Sequence, residues 1–313
     1  MQAAHPRLDA LVARARAEAG ADKVAIGIVH PGDAVAMQAA RRIADEGVAR
    51  PVLIGSPDVI ARAAAAAGID VSRFEIVASH GDDPRAAAER AVELARNGGV
   101  GALMKGSLHT DELMAPVIRN HTGLRGERRI SHAFVFDAPR LPKLLALADC
   151  VVNIAPDLRT KRDIVFNACA LLRGALGIPR PMVAIVAAIE TVNPQIPATI
   201  DAAALVEEAR QGAFGDAVVE GPFGFDNAVS ADAARTKGLD SQVAGQPDLL
   251  IVPDLNAGNL LYKSFVYVGG AECAGVVLGT TVPIVLTSRA DSLAARVASV
   301  ALAGLMARAR GRA

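Results

Sequence analysis

Tryptophan is absent, and aromatic residues make up only 3% of a chain that is 52% hydrophobic. A core without large rings must be built from Ala, Val, Leu and Ile, which suits parallel strands covered by Ala-rich helices. Cysteine is scarce too. Cys150, Cys169 and Cys273 stand alone in apolar runs, with no C-x-x-C and no Cys/His spacing of a zinc site. They read as buried, inert thiols, and an odd, unpatterned count fits a reducing cytosol. Charge of one sign is not in excess either. The 33 Lys and Arg balance the 33 Asp and Glu, so nothing marks a nucleic-acid surface or a polybasic membrane patch. No apolar run is long enough to span a bilayer, and the N-terminus is a charged amphipathic helix without the apolar stretch of a signal peptide. The expectation is a soluble, cytoplasmic protein with no nucleic-acid or membrane partner and no metal site. G-x-G-x-x-G, the Walker A loop and G-x-S-x-G are missing as well, which removes the signals of a dinucleotide site, a P-loop and an α/β-hydrolase. Anion binding has to use strand-end turns, helix starts and isolated cations.

What is present is an alternation of strand and helix along 313 residues, long for one domain and ample for two. Short apolar runs predict strands at 24–29, 52–54, 74–78, 102–104, 131–136, 151–154, 183–187, 217–219, 249–252, 275–278 and 284–286. Helical periodicity falls at 7–18, 33–45, 57–67, 84–96, 111–120, 158–176, 200–211, 228–236, 255–268 and 293–307. Interleaving of this kind implies βαβ units and an α/β fold. The proline-bearing stretch D-A-P-R-L at 137–141 is the expected domain join, with a second crossing near 279–283.

Residues 283–292, P-I-V-L-T-S-R-A-D-S, carry the most information. A buried strand stops on Ser288, Arg289 and Asp291, and a helical run starts after Ser292. A hydroxyl, a guanidinium and a carboxylate thus meet at the carboxyl end of a strand, where open α/β sheets bind ligands, and at a helix start, where free N–H groups favour anions. The plainer reading is that Asp291 or Ser292 caps the last helix while Ser288 and Arg289 are solvated.

Other strand-to-helix joins repeat the theme. D-L-N-A-G-N-L-L-Y-K at 254–263 offers Asp254, Asn256, Gly258, Asn259 and Lys263; either a ligand or a neighbouring backbone can approach Gly258 closely. E-G-P-F-G-F-D-N-A-V-S at 220–230 offers Gly221, Phe223 and Asp226. There Asp226 or Asn227 is expected to cap the following helix, and Phe223 and Phe225 either line an acyl or adenine pocket or pack beneath the loop. G-A-L-M-K-G-S-L-H-T-D-E at 101–112 brings Lys105, Ser107, His109 and Thr110 to one potential anion site. His109 is either an acid/base group or structural. D-L-R-T-K-R-D at 157–163 reads mainly as a solvated face, although Arg159, Lys161 and Arg162 can also meet coenzyme phosphates.

In order and spacing, N-P-Q-I-P-A-T-I-D-A-A, G-P-F-G-F-D-N-A-V-S, P-D-L-N-A-G-N-L-L-Y-K, G-V-V-L-G and P-I-V-L-T-S-R-A-D-S resemble the phosphate acetyl/butyryltransferase family, with R-R-I-S-H and P-D-L-R-T-K-R-D-I-V fitting as well. The wording of D-N-A-V-S and T-S-R-A-D-S is nearer the butyryltransferase branch, and resembles the transferase domain that some bacteria attach to an enoyl-CoA hydratase. The resemblance implies two three-layer α/β/α domains of the isocitrate/isopropylmalate dehydrogenase kind with a cleft between them. The first is discontinuous, 1–138 plus 283–313, and the second is 139–282. It also implies a homodimer, and conversion of acyl-CoA and phosphate to acyl phosphate and CoA by direct transfer in a ternary complex. Coenzyme A is then a substrate, and no metal or prosthetic group takes part. Ser288 matches the family serine that stabilises the oxyanion, and Arg289 the arginine that holds the phosphoryl group. Two positions depart from acetyl-specific relatives. Ala295 stands where they place a catalytic Asp, leaving Asp291 as the nearest carboxylate, and Met114 stands where they place an Arg, leaving Arg119, Arg128 or Arg129 to compensate. These departures motivate one alternative, a non-catalytic acetyl-CoA-sensing domain. A metal-dependent dehydrogenase of the same fold is disfavoured, since the sequence has no evident aspartate cluster.

Overall fold

The computed structural model of the chain describes residues 5–288 and 290–311. Arg289, an expected catalytic residue, lies outside the described residues. The elements run α1 (Pro6–Ala19), β1 (Ala25–Val29), α2 (Ala34–Glu46), β2 (Arg50–Gly55), α3 (Pro57–Ala67), β3 (Glu75–Ala78), α4 (Pro84–Arg96), β4 (Ala102–Lys105), α5 (Thr110–Val117), β5 (Ser131–Asp137) and β6 (Leu145–Ala148). They continue with α6 (Leu158–Leu176), β7 (Met182–Val186), α7 (Pro197–Arg210), β8 (Val218–Phe223), α8 (Phe225–Val229), α9 (Ala231–Thr236), β9 (Leu249–Ile251), α10 (Leu255–Tyr267), β10 (Glu272–Leu278), β11 (Ile284–Val285) and α11 (Leu293–Gly311).

The chain divides into a central unit, Met1–Leu8 with Arg129–Cys273, and a terminal unit, Asp9–Arg128 with Ala274–Ala313. The changeovers between these units lie near residues 8, 128 and 273.

In the terminal unit the strand order is β3-β2-β1-β4-β11-β10, parallel except where β10 meets β11. The order reverses at β1: β2 lies on one side and β4 on the other. Loops leaving the carboxyl ends of β1 and β4 therefore part at a switch point, the usual ligand position of open α/β sheets. The helices pack in two groups, α2 with α3 and α11, and α4 with α5. Small Ala side chains (Ala36, Ala39, Ala40, Ala87, Ala88, Ala91) fill the helix–sheet contacts, consistent with a core lacking large rings.

In the central unit the order is β5-β6-β9-β7-β8, with only β5–β6 antiparallel. Phe136, Leu147, Cys150, Val243 and Leu250 are buried together in its core. Cys169 is buried as well, and burial pushes its thiol up to about 11, which keeps it protonated.

Three local expectations change. Residues 151–154 are not a strand, because the buried Asp149 carboxylate accepts the N–H groups of Val151, Val152 and Asn153 and turns the chain. The expected helix at 228–236 is two, α8 and α9. Ser230 is extended (φ −122, ψ 114) between them and accepts from Ala233 N at 3.2 Å as the cap of α9. Lys161 is not on a solvated face: it is buried, and its Nζ donates to Asp201 Oδ2 at 2.6 Å.

Candidate functional site

Three loops meet at the switch point of the terminal unit. The first follows β1. His30 ends that strand at φ +49, a left-handed conformation uncommon for a residue with a Cβ, and its carbonyl accepts from Gly32 N, Ser107 N and Ser107 Oγ. Burial pulls the His30 imidazole below its ordinary value, against the opposing carboxylates of Glu112, Asp82, Asp83 and Asp33. Asp33 then caps α2, accepting from Ala36 N at 2.8 Å.

The second loop follows β4. Gly106 is needed there, since a Cβ would lie 2.3 Å from Val29 O and 2.6 Å from His30 O. Ser107 Oγ donates to His30 O at 2.8 Å and accepts from Gly32 N at 2.9 Å, which ties the first two loops together. Lys105 is 8% exposed and its Nζ donates to Leu108 O at 3.2 Å. His109 is the N-cap residue of α5, and its own N–H donates to Glu112 Oε2 at 2.7 Å. His109 and Thr110 are exposed.

The third loop follows β11. Thr287 Oγ1 donates to Lys105 O at 3.0 Å, fastening this loop to the exit of β4. Ser288 is exposed, its N–H donates to Asp291 Oδ2 at 2.7 Å, and its Oγ accepts from Ala290 N at 3.3 Å. Ser292, not Asp291, caps α11, accepting from Ala295 N at 2.9 Å. Arg296, one turn into α11 and only 4% exposed, donates to Ser288 O at 2.6 Å and to Thr287 Oγ1 at 3.2 Å.

These loops enclose a pocket of about 150 Å³ lined by Asp33, Val35, Lys105, Gly106, Ser107, Thr287, Ser288 and Arg296. Two cations, two serine hydroxyls and a threonine converge there against a single carboxylate, a composition suited to a small oxyanion. Burial lowers the Arg296 guanidinium from its ordinary value, and Asp291 and Asp33 oppose the shift, so it remains a cation.

Of the residues expected from the sequence, Lys105, Ser107 and Ser288 line this pocket. His109 and Thr110 stand at the start of α5. Asp291 holds the Ser288 N–H, which engages the carboxylate in shaping the loop. Arg119 pairs with Glu89 at 2.7 Å and is not a pocket residue, and Ala295 is buried in α11. Sequence reasoning missed Asp33, Thr287 and Arg296. G-D before α2 repeats the strand-end pattern read elsewhere, and a lone Arg in the apolar start of α11 was the available signal for Arg296.

The remaining expected residues belong to the central unit and serve it largely from within. Asp254 caps α10, accepting from Ala257 N at 2.9 Å. A Cβ on Gly258 would lie 2.6 Å from Asp149 O, so this glycine lets α10 approach another backbone. Asn259 Nδ2 donates to Cys150 O at 3.4 Å. Asn256 and Lys263 are exposed on α10. Phe223 is 6% exposed in the core, whereas Phe225 is partly exposed. Neither Asp226 nor Asn227 caps α8: the cap position is Gly224, Asp226 Oδ2 lies 3.4 Å from Lys237 Nζ, and Asn227 is buried against Glu190. Gly221 and Phe223 border an open depression of about 730 Å³. Arg180 and Arg210 face Glu190, Asp216, Glu220 and Asp240 around it, an acidic balance that disfavours an anionic ligand despite the larger volume.

Known proteins place the chain in a family. The family model described as phosphate acetyl/butaryl transferase matches residues 85–304. A phosphate acetyltransferase of Rhizobium meliloti is 49% identical over 306 residues, covering 97% of this chain and 94% of that protein. A phosphate butyryltransferase of Clostridium acetobutylicum is 38% identical over 285 residues, covering 91% and 93%. Among solved structures, a branched-chain phosphotransacylase from Enterococcus faecalis V583 superposes with a TM-score of 0.80 at 28% identity, covering 91% of this chain and 99% of that one. The butyryl-like wording of the motifs is thus not matched by overall identity, which is higher to the acetyltransferase. On the family model and on these relatives, the chain belongs to the phosphate acetyl/butyryltransferase family, and is an acyltransferase.

Proposed function

We propose that the chain transfers a short acyl group between coenzyme A and inorganic phosphate, acyl-CoA plus phosphate giving acyl phosphate plus CoA. The observation that carries this reading is the pocket at the terminal unit's switch point, where Lys105 and Arg296 stand beside Ser288. Phosphate is held by Lys105 within the positive field of the pocket, to which Arg289 adds its guanidinium by its match to the family arginine. A phosphate oxygen attacks the thioester carbonyl, Ser288 Oγ donates a hydrogen bond to the developing oxyanion, and the C–S bond breaks to release CoA as thiolate. Removing one such donor typically slows a reaction by about 10²–10³. Direct transfer needs no metal or prosthetic group, and coenzyme A is a substrate.

The alternative of a non-catalytic acetyl-CoA sensor has no specific observation in its favour. A homodimer is the expected assembly, and Leu260, Tyr267 and Val268, exposed on or just after α10, give an apolar surface for it. No described helix is long and apolar enough to cross a membrane. We place the enzyme in the cytoplasm.

The test is thiol release from acetyl-CoA, propionyl-CoA and butyryl-CoA, each with and without phosphate. Release that depends on phosphate is expected, with acetyl-CoA the first substrate to try. Tight acetyl-CoA binding without turnover on any of the three supports the sensor instead.

A further inference from the structure

Ser288 is exposed, yet its backbone is held from both sides. The Asp291 carboxylate accepts its N–H at 2.7 Å, and the Arg296 guanidinium donates to its C=O at 2.6 Å. The same guanidinium reaches Thr287 Oγ1 at 3.2 Å and Asp291 O at 3.4 Å, and Thr287 Oγ1 in turn donates to Lys105 O at 3.0 Å. One side chain thereby links the exit of β11, the exit of β4 and the first turn of α11. A guanidinium has five donors in a fixed plane, so it can serve three acceptors at once; an ammonium of similar reach is a point charge on a flexible stem.

We propose that Arg296 is the positioning residue of Ser288, the group that sets where the Ser288 hydroxyl points during acyl transfer. This rests on the acyltransfer reading above. Positioning matters because a misplacement of about 1 Å can cost about 10²-fold in rate. Buried on α11, Arg296 acts through the Ser288 carbonyl rather than through the hydroxyl itself.

The test compares wild type with Arg296→Lys and Arg296→Ala in the full chain, using phosphate-dependent thiol release, thermal unfolding and circular dichroism. For Arg296→Lys a fall in kcat of about tenfold or more is expected, with the acyl-CoA KM within about threefold and the fold retained. In Arg296→Ala the loss is larger, and added guanidinium ion restores part of kcat where sodium chloride of equal ionic strength does not. A folded Arg296→Lys enzyme with wild-type kcat overturns the proposal. So does an Arg296→Lys protein that does not fold, which assigns Arg296 a structural role only. If Arg296→Ala alone fails to fold, Arg296→Lys decides. A wild type with no phosphate-dependent release defeats the acyltransfer reading itself and this proposal with it, an outcome distinct from an active wild type indifferent to the substitution.

Discussion

Two strand ends of this chain are written alike and built for different ends. After β11 the sequence T-S-R-A-D-S leads into α11, and after β9 the sequence P-D-L-N-A-G-N leads into α10. In the first, the framework residues (Thr287, Asp291, Ser292, Arg296) are spent on holding backbone, and Ser288 is left exposed beside a pocket. In the second, the distinctive residues are themselves the framework: Asp254 caps, Gly258 admits Asp149 O, and Asn259 donates to Cys150 O. Polar motif residues therefore signal a site only where something else supports the backbone in their place.

The largest expected effect breaks or confirms the first half of that contrast. Ser288→Ala lowers turnover by about 10²–10³ while thermal unfolding is unchanged, because among the described residues the hydroxyl accepts a single long hydrogen bond, from Ala290 N. Unchanged turnover removes Ser288 from the chemistry.

The second prediction tests the inward-turned polarity of the central unit. His132 on β5 is fully buried, neither ring nitrogen has a hydrogen-bond partner among the described residues, and burial lowers its imidazole to about 3. Between pH about 6.5 and about 3 the unfolded chain therefore binds a proton that the folded chain does not, so stability rises with pH through this window and is lost on acidification. His132→Phe removes that contribution. Its stability should fall by roughly 3 kcal/mol less than wild type between pH 7 and pH 4, as read by urea unfolding at each pH. Parallel pH curves for the two proteins contradict the buried neutral imidazole.

The smallest effect concerns Gly258. Replacing it by Ala gains up to about 1 kcal/mol of helix propensity. The new Cβ, however, would meet Asp149 O at 2.6 Å and Cys150 Cα at 3.0 Å, both backbone atoms with little freedom to yield. Gly258→Ala is expected to lower stability by about 1–3 kcal/mol. A variant as stable as wild type but with a raised acyl-CoA KM shows instead that the glycine makes room for a ligand.

Much of the fold was legible because its signals are local. Apolar runs between glycine turns marked nearly every strand, and Ala-rich periodicity marked the helices within a few residues. The failures share a cause. At 151–154 an apolar run was turned by the Asp149 carboxylate, and Lys161 was drawn inward by Asp201 from a distant helix. Within the pocket, Lys105, Ser107 and Ser288 were readable from strand-end chemistry, whereas Thr287 and Arg296 were not, since their partners are carbonyls that only the fold delivers.

The sequence by itself determined the α/β class, the family and the serine at the strand end, because each depends on the order of residues along a few consecutive turns. Tertiary structure alone decided which polar groups face a pocket and which brace the backbone. That choice depends on carbonyls and carboxylates from strands far apart in the chain, and their positions are set by burial of the sheet between its helices.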